Sequence, residues 1–154
     1  MLTRTTELAT RWLLFLALEG EGRPLPARQA ARTLGCSPTY LSKITSLLVK
    51  AVILTSVRGV KGGVTFGRPL SEITLLEVFE ACQGLLTAGY CAGLASDGET
   101  CSFHQAMKEL HEKTTGVLSK WTLQDLLKQP YRSGGADAAE CRMFCTSGQM
   151  AKGS

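Results

Sequence analysis

The chain has 154 residues, of which 44% are hydrophobic and 19% charged, with a net charge of +4. That is the composition of a folded globular domain, long enough for one core with an added arm, and it excludes a disordered or highly charged chain. The basic excess, with a pI near 8.8, suits a polyanionic partner without demanding one.

The longest apolar stretch, residues 12–18, falls short of the roughly 20 residues that a bilayer requires. It follows Arg4, Glu7 and Arg11 and lacks a small-residue cleavage site, so neither a membrane span nor a signal peptide is expected. A cytoplasmic protein is the expectation. In a reducing compartment, six cysteines (36, 82, 91, 101, 141 and 145) are better suited to metal, cluster or redox chemistry, or to packing, than to structural disulfides.

Leu8, Ala9, Trp12, Leu13, Leu16 and Ala17 recur at helical spacing, which predicts a helix over 5–19 stopped by Gly20 and Gly22. Pro24 and Pro26 precede a second short helix, 27–34, and Gly35 with Cys36 makes a turn. Ser37 is a natural N-cap, and Pro38 takes the first helical position, where its missing N–H costs nothing. The helix from Pro38 to about Lys50 has Leu41, Ile44, Leu47 and Leu48 on one face and Thr39, Tyr40, Ser42, Lys43 and Ser46 on the other. The β-prone runs 52–57 and 64–66 flank the basic, glycine-rich stretch 58–63, which predicts a hairpin. Thr74 and Glu77 form a capping box, with Ile73 and Val78 as its hydrophobic staple, opening a helix that ends near Gly84. Residues 85–100 are small, glycine-rich and aperiodic, and read as a loop. Beyond Cys101, Phe103, Met107, Leu110, Thr114, Val117 and Trp121 alternate spacings of four and three, a coiled-coil-like seam. Thr122 and Asp125 resemble another capping box before a short closing helix, and 131–154 read as a disordered tail.

The expected fold is mainly α with a small β-hairpin wing: a winged helix-turn-helix over 1–84, a cysteine-containing loop over 85–100, and a long dimerisation helix with a closing helix over 101–130. Three helices, a tight turn before the third, and a hairpin are the order of a winged helix-turn-helix. Short polar residues at the start of the third helix can enter a groove about 12 Å wide and reach base edges. Arg58 and Lys61 carry charge in a glycine-rich loop whose backbone can approach the sugar–phosphate wall. Arg28 and Lys43 are further candidates for backbone contacts. A plain α+β domain with a solvated hairpin is the competing interpretation of the pattern alone.

The opening residues 2–9 (Leu-Thr-Arg-Thr-Thr-Glu-Leu-Ala), the stretch 37–41 (Ser-Pro-Thr-Tyr-Leu) and the wing 57–64 (Val-Arg-Gly-Val-Lys-Gly-Gly-Val) together resemble the IscR/NsrR-type winged-helix regulators, which respond to iron–sulfur status and nitric oxide. The resemblance covers about residues 2–127. It implies a homodimer in which the seam from Phe103 to Trp121 crosses its twin, reading a pseudo-palindromic double-stranded DNA site. It implies DNA contacts from Thr39, Tyr40, Ser42 and Arg58, to which Arg28, Ser37, Lys43 and Lys61 are added from their charge and position.

The resemblance also implies a sensor loop. Cluster-carrying members typically hold three cysteines there, but here Cys91 and Cys101 bracket a stretch without the middle one. Cys101 and His104 match the spacing at which IscR-like proteins place a histidine ligand, and Glu7 falls where NsrR-like proteins place an acidic ligand given by the other subunit. Cys91, Cys101, His104 and a partner Glu7 are therefore the expected ligands of a 2Fe-2S cluster. Each has a plain alternative: His104 as a helix-start residue, Glu7 as a solvated side chain. Cys36 and Cys82 are expected to be packing residues, although Cys82 could reach the loop as a third thiolate. Two other regulatory schemes remain open: thiol switching at Cys91 and Cys101, and a cofactor-free member controlled by a partner protein or small molecule. An enzyme is not expected, because no nucleophile–base triad, carboxylate pair or phosphate loop is present, and two histidines are few for a catalytic zinc site.

Overall fold

The computed structural model describes residues 3–59, 62–85 and 101–128. Most of the sensor loop including Cys91, the wing residue Lys61, and the tail with Cys141 and Cys145 lie outside the described residues.

The order is α1 (Arg4–Glu19), α2 (Ala27–Thr33), α3 (Pro38–Lys50), β1 (Leu54–Val57), β2 (Gly63–Phe66), a 3-10 turn (Leu70–Glu72), α4 (Leu75–Gln83), α5 (Ser102–Lys120) and α6 (Leu123–Lys128). Helix α1 starts one residue earlier than predicted because Thr3 caps it, accepting the Thr6 N–H at 3.2 Å. At its other end Gly20 is still helical. An added Cβ there would lie 2.5 Å from the Leu16 carbonyl oxygen, so glycine is needed for closeness and not for its φ. The reversal itself is made by Glu21 and Gly22, both at positive φ.

The hairpin pairs β1 and β2 antiparallel, with Leu54 opposite Phe66 and Val57 opposite Gly63. The strand predicted from Val52 begins at Leu54 instead. Val52 sits at φ 58 on the exit from α3, where the Ile53 N–H donates back to the Leu48 carbonyl at 3.0 Å. Leu25 adds a third backbone to this sheet, exchanging two 3.0 Å hydrogen bonds with Val64. Its flanking prolines favour the extended conformation this needs. Gly63 permits the approach: a Cβ there would lie 2.5 Å from the Leu25 carbonyl carbon.

The core joins Trp12 and Leu13 of α1, Leu41, Ile44 and Leu48 of α3, Ile53 and Leu54 before and in β1, Ile73 and Val78 around the start of α4, and Leu123 of α6. Helix α6 is tied down by backbone: Leu75 N–H donates to Trp121 O at 2.8 Å, and Leu123 N–H to Ile73 O at 2.9 Å. Both predicted capping boxes form, Thr74 with Glu77 and Thr122 with Asp125. Helix α5 packs on α4 but has no buried residue of its own. Along its seam Phe103, Leu110, Val117 and Trp121 are 62%, 55%, 58% and 46% exposed. Among the described residues no helix is long and apolar enough to cross a membrane.

Candidate nucleic-acid interface and sensor site

Helix α3 presents Thr39, Ser42 and Lys43 as exposed side chains, while Leu41, Ile44 and Leu48 anchor its opposite face in the core. Its start is rigid. Ser37 Oγ accepts the Tyr40 N–H at 3.2 Å and Ser37 O accepts the Leu41 N–H at 3.1 Å, so Ser37 caps a turn whose first residue, Pro38, has no N–H to satisfy. Tyr40 is half-buried, and its hydroxyl lies 2.9 Å from Thr5 Oγ1 on α1. Arg28 is exposed in the first turn of α2, a short helix packed against α3.

In the wing, Arg58 is exposed just after β1, followed by Gly59 at φ 119. Gly62 N–H donates to the Gly59 carbonyl at 2.9 Å, and a Cβ on Gly62 would lie 2.5 Å from the Val57 carbonyl oxygen. The glycines at these two positions thus set the tight loop from which Arg58 projects; a left-handed φ suits Gly59 and bare backbone suits Gly62.

Glu7, Arg4, Leu8 and Arg11 of α1 face Cys36, Ser37 and Tyr40 across an open groove of about 740 Å³. At the head of α5, exposed Cys101 is the N-cap residue, and its Sγ lies 3.3 Å from His104 Nδ1. Backbone and side-chain hydrogen bonds from His104 hold the Cys101 thiol below its ordinary value, which favours thiolate, the form that binds metal. Cys82 is different. It packs against the core, and burial pushes its thiol up to about 11, so it is a neutral packing residue in this fold. Cys36 is also partly buried, and burial raises its thiol despite the opposing charge of Arg11. Among the described residues no three His, Cys, Asp or Glu side chains group closely enough for a metal ion, so one chain does not bring Glu7 to Cys101 and His104.

Residues 2–129 match the Rrf2 family, described as an iron-dependent transcriptional regulator. The chain belongs to the Rrf2 family of transcriptional regulators. This Rrf2 chain is 33% identical over 128 residues to the HTH-type transcriptional regulator IscR of Klebsiella pneumoniae, covering 82% of this chain and 78% of that protein. The IscR of Photorhabdus laumondii is 32% identical over the same shares. Among solved structures, IscR of T. potens superposes with a TM-score of 0.69 at 22% identity, over 88% of this chain and 93% of the other. CymR, the global cysteine regulator of B. subtilis, superposes with a TM-score of 0.68 at 21% identity, over 83% and 96%. These likenesses establish the winged-helix fold, and the relatives are regulators rather than enzymes.

Within the Rrf2 chain, three side-chain links escaped the sequence. Thr45, on the buried side of α3, accepts the Trp12 indole N–H at 3.1 Å and donates to the Leu41 carbonyl at 2.7 Å. Thr5 reaches Tyr40, and Gln83 Nε2 donates to Thr6 Oγ1 at 2.7 Å. A threonine within an apolar period was the one available signal for the first; nothing in the sequence marks the other two.

Proposed function

We propose that this chain acts as a homodimeric transcription factor whose operator affinity is modulated by a 2Fe-2S cluster. The observation that carries the DNA-binding part is the capped, outward-facing first turn of α3 together with Arg58 in the glycine-built wing. Two copies related by a two-fold axis would present two such turns and two wings, suited to a pseudo-palindromic duplex. Thr39, Ser42 and, through its half-exposed ring, Tyr40 read the groove. Arg28, Lys43, Arg58 and Lys61 neutralise phosphates, and Ser37 fixes the helix start. The unpartnered seam of α5, a helix about 28 Å long by its rise per residue, supports the dimer.

Cys91, Cys101, His104 and Glu7 of the partner subunit form the proposed ligand set. The donor chemistry fits: Cys101 favours thiolate, an imidazole lies beside it, and Glu7 faces an open groove from which it can be offered to another chain. When bound, the cluster supplies a redox-active iron centre whose potential depends on its ligands and exposure. Glu7, given across the dimer, ties the first turn of α1 to the sensor segment of the other subunit. The depressed Cys101 thiol equally suits thiol switching, which is the second reading.

Anaerobic purification separates the two. The cluster reading expects a brown-red protein with bound iron and sulfide; a preparation colourless even after reconstitution sinks it. Thiol switching then expects oxidant-dependent DNA binding that Cys101→Ser abolishes. Arg58→Ala is expected to weaken operator binding and to reduce the log–log salt slope by roughly one unit per subunit. An unchanged slope in salt-titrated binding removes Arg58 from the phosphate contacts.

A further inference from the structure

The first turn of α1 is gripped from two sides. Thr6 is wholly buried, and its hydroxyl accepts a 2.7 Å hydrogen bond from Nε2 of Gln83, the last residue of α4. One residue earlier, Thr5 Oγ1 lies 2.9 Å from Tyr40 Oη in the first turn of α3. Successive helical residues point about 100° apart, which is how neighbours on one turn can address two different helices. The turn itself is stiff. Thr3 Oγ1 accepts the Thr6 N–H at 3.2 Å and lies 2.9 Å from the Thr6 hydroxyl, Glu7 N–H donates to Thr3 O at 2.9 Å, and the Thr10 hydroxyl donates to Thr6 O at 2.9 Å.

The cap of α1 is already complete without Gln83. Gln83 is exposed, so water could satisfy its amide, yet it is ordered against a buried hydroxyl at a cost in side-chain entropy. Directly after it the chain turns at Gly84, φ 83, into the segment that carries Cys91. Directly after Thr6 comes Glu7. The end of α4 that leads to one proposed cluster site and the Glu7 offered to the site of the other subunit thus meet on one helical turn, and the same turn holds Tyr40.

We propose that Gln83, Thr6 and Thr5 are positioning residues that couple the end of α4 to Tyr40, so that the placement of the recognition turn follows the segment that begins at Gly84. Hydrogen bonds to base edges weaken steeply with misalignment, so a sub-ångström shift of the start of α3 changes affinity. The proposal rests on the regulatory reading above for its signal, but not for its connectivity.

A chain of contacts is not itself coupling; a mutant cycle is the direct test. The full-length protein is titrated with the duplex that the wild type selects from a randomised pool, first cluster-free and then after anaerobic reconstitution. Gln83→Leu and Thr5→Val each break one link at residues outside the DNA contacts. Each is expected to weaken cluster-free binding by about 3- to 10-fold, the scale of one lost hydrogen bond. Because the links are in series, the double variant is expected to be no weaker than the worse single. Thr5→Ser, which keeps the hydroxyl, is expected to bind within about twofold of wild type. If the double variant shows the product of the two single effects, or if neither single moves affinity twofold, the coupling is overturned. In the reconstituted arm, both singles are expected to bring the ratio of loaded to cluster-free affinity closer to one. A wild type that takes up no cluster defeats the cluster reading, while the cluster-free cycle still decides the coupling.

Discussion

Val52 leaves α3 with φ 58 and a side chain that is 60% exposed. A β-branched residue in the left-handed region pays about 1–2 kcal/mol in contact between Cβ and its own carbonyl, and this one recovers little by burial. Val52→Gly is therefore expected to stabilise the chain by about 0.5–1 kcal/mol after the extra entropy of an unfolded glycine is deducted, and calorimetry should show a higher Tm. A lower Tm would show that the valine makes packing contacts that outweigh its strain. Thr45 poses the opposite case. Its hydroxyl is the acceptor for the indole N–H of Trp12, which is fully buried. Thr45→Val keeps the shape and orphans that donor, so denaturant unfolding should show a loss of about 1–3 kcal/mol. Neither residue touches the proposed DNA face, and both effects concern the platform that holds it.

Helix α5 shows how an element can be legible in sequence and yet unexplained within one chain. Its seam residues were set out by their spacing, and the helix forms over Ser102–Lys120, yet the seam stays open. A helix with an apolar stripe and no buried residue has not finished packing. Leu110→Glu is expected to convert a dimer to a monomer in sedimentation velocity, with helical circular dichroism retained, because the stripe does not contribute to the core of its own subunit. Unaltered sedimentation would place the interface elsewhere. The two capping boxes were equally legible, since a threonine three residues before an acid is a local signal. The single bridge contributed by Leu25 was not, because it pairs with Val64 far along the chain.

Across the whole molecule, the start of α4 and the start of α6 are bridged through backbone and sealed by Glu77 and Asp125. Burial raises the Glu77 carboxyl, but hydrogen bonds from Thr74 and Arg68 outweigh it and leave its pKa below 4.5. Hydrogen bonds from Lys128 and Thr122 hold the Asp125 carboxyl far below 3.8. For both acids the folded value lies below the unfolded one. Their stabilisation is therefore present above about pH 4.5 and is lost as pH falls through and below that range. Tm measured from pH 6 to pH 3 is expected to drop, and Glu77→Gln should flatten part of the drop; an identical profile in that variant removes Glu77 from the acid response. The sequence by itself determined the helices, the hairpin and the family, because caps, periodicity and glycine-rich turns act over a few residues. It also marked Cys101 and His104, one helical turn apart and in contact here. Only the tertiary structure decided that burial holds Cys82 as a neutral thiol, that Tyr40 is tethered to Thr5, and that Gln83 reaches Thr6. Those facts depend on burial and on groups up to 77 positions apart, which no local pattern encodes.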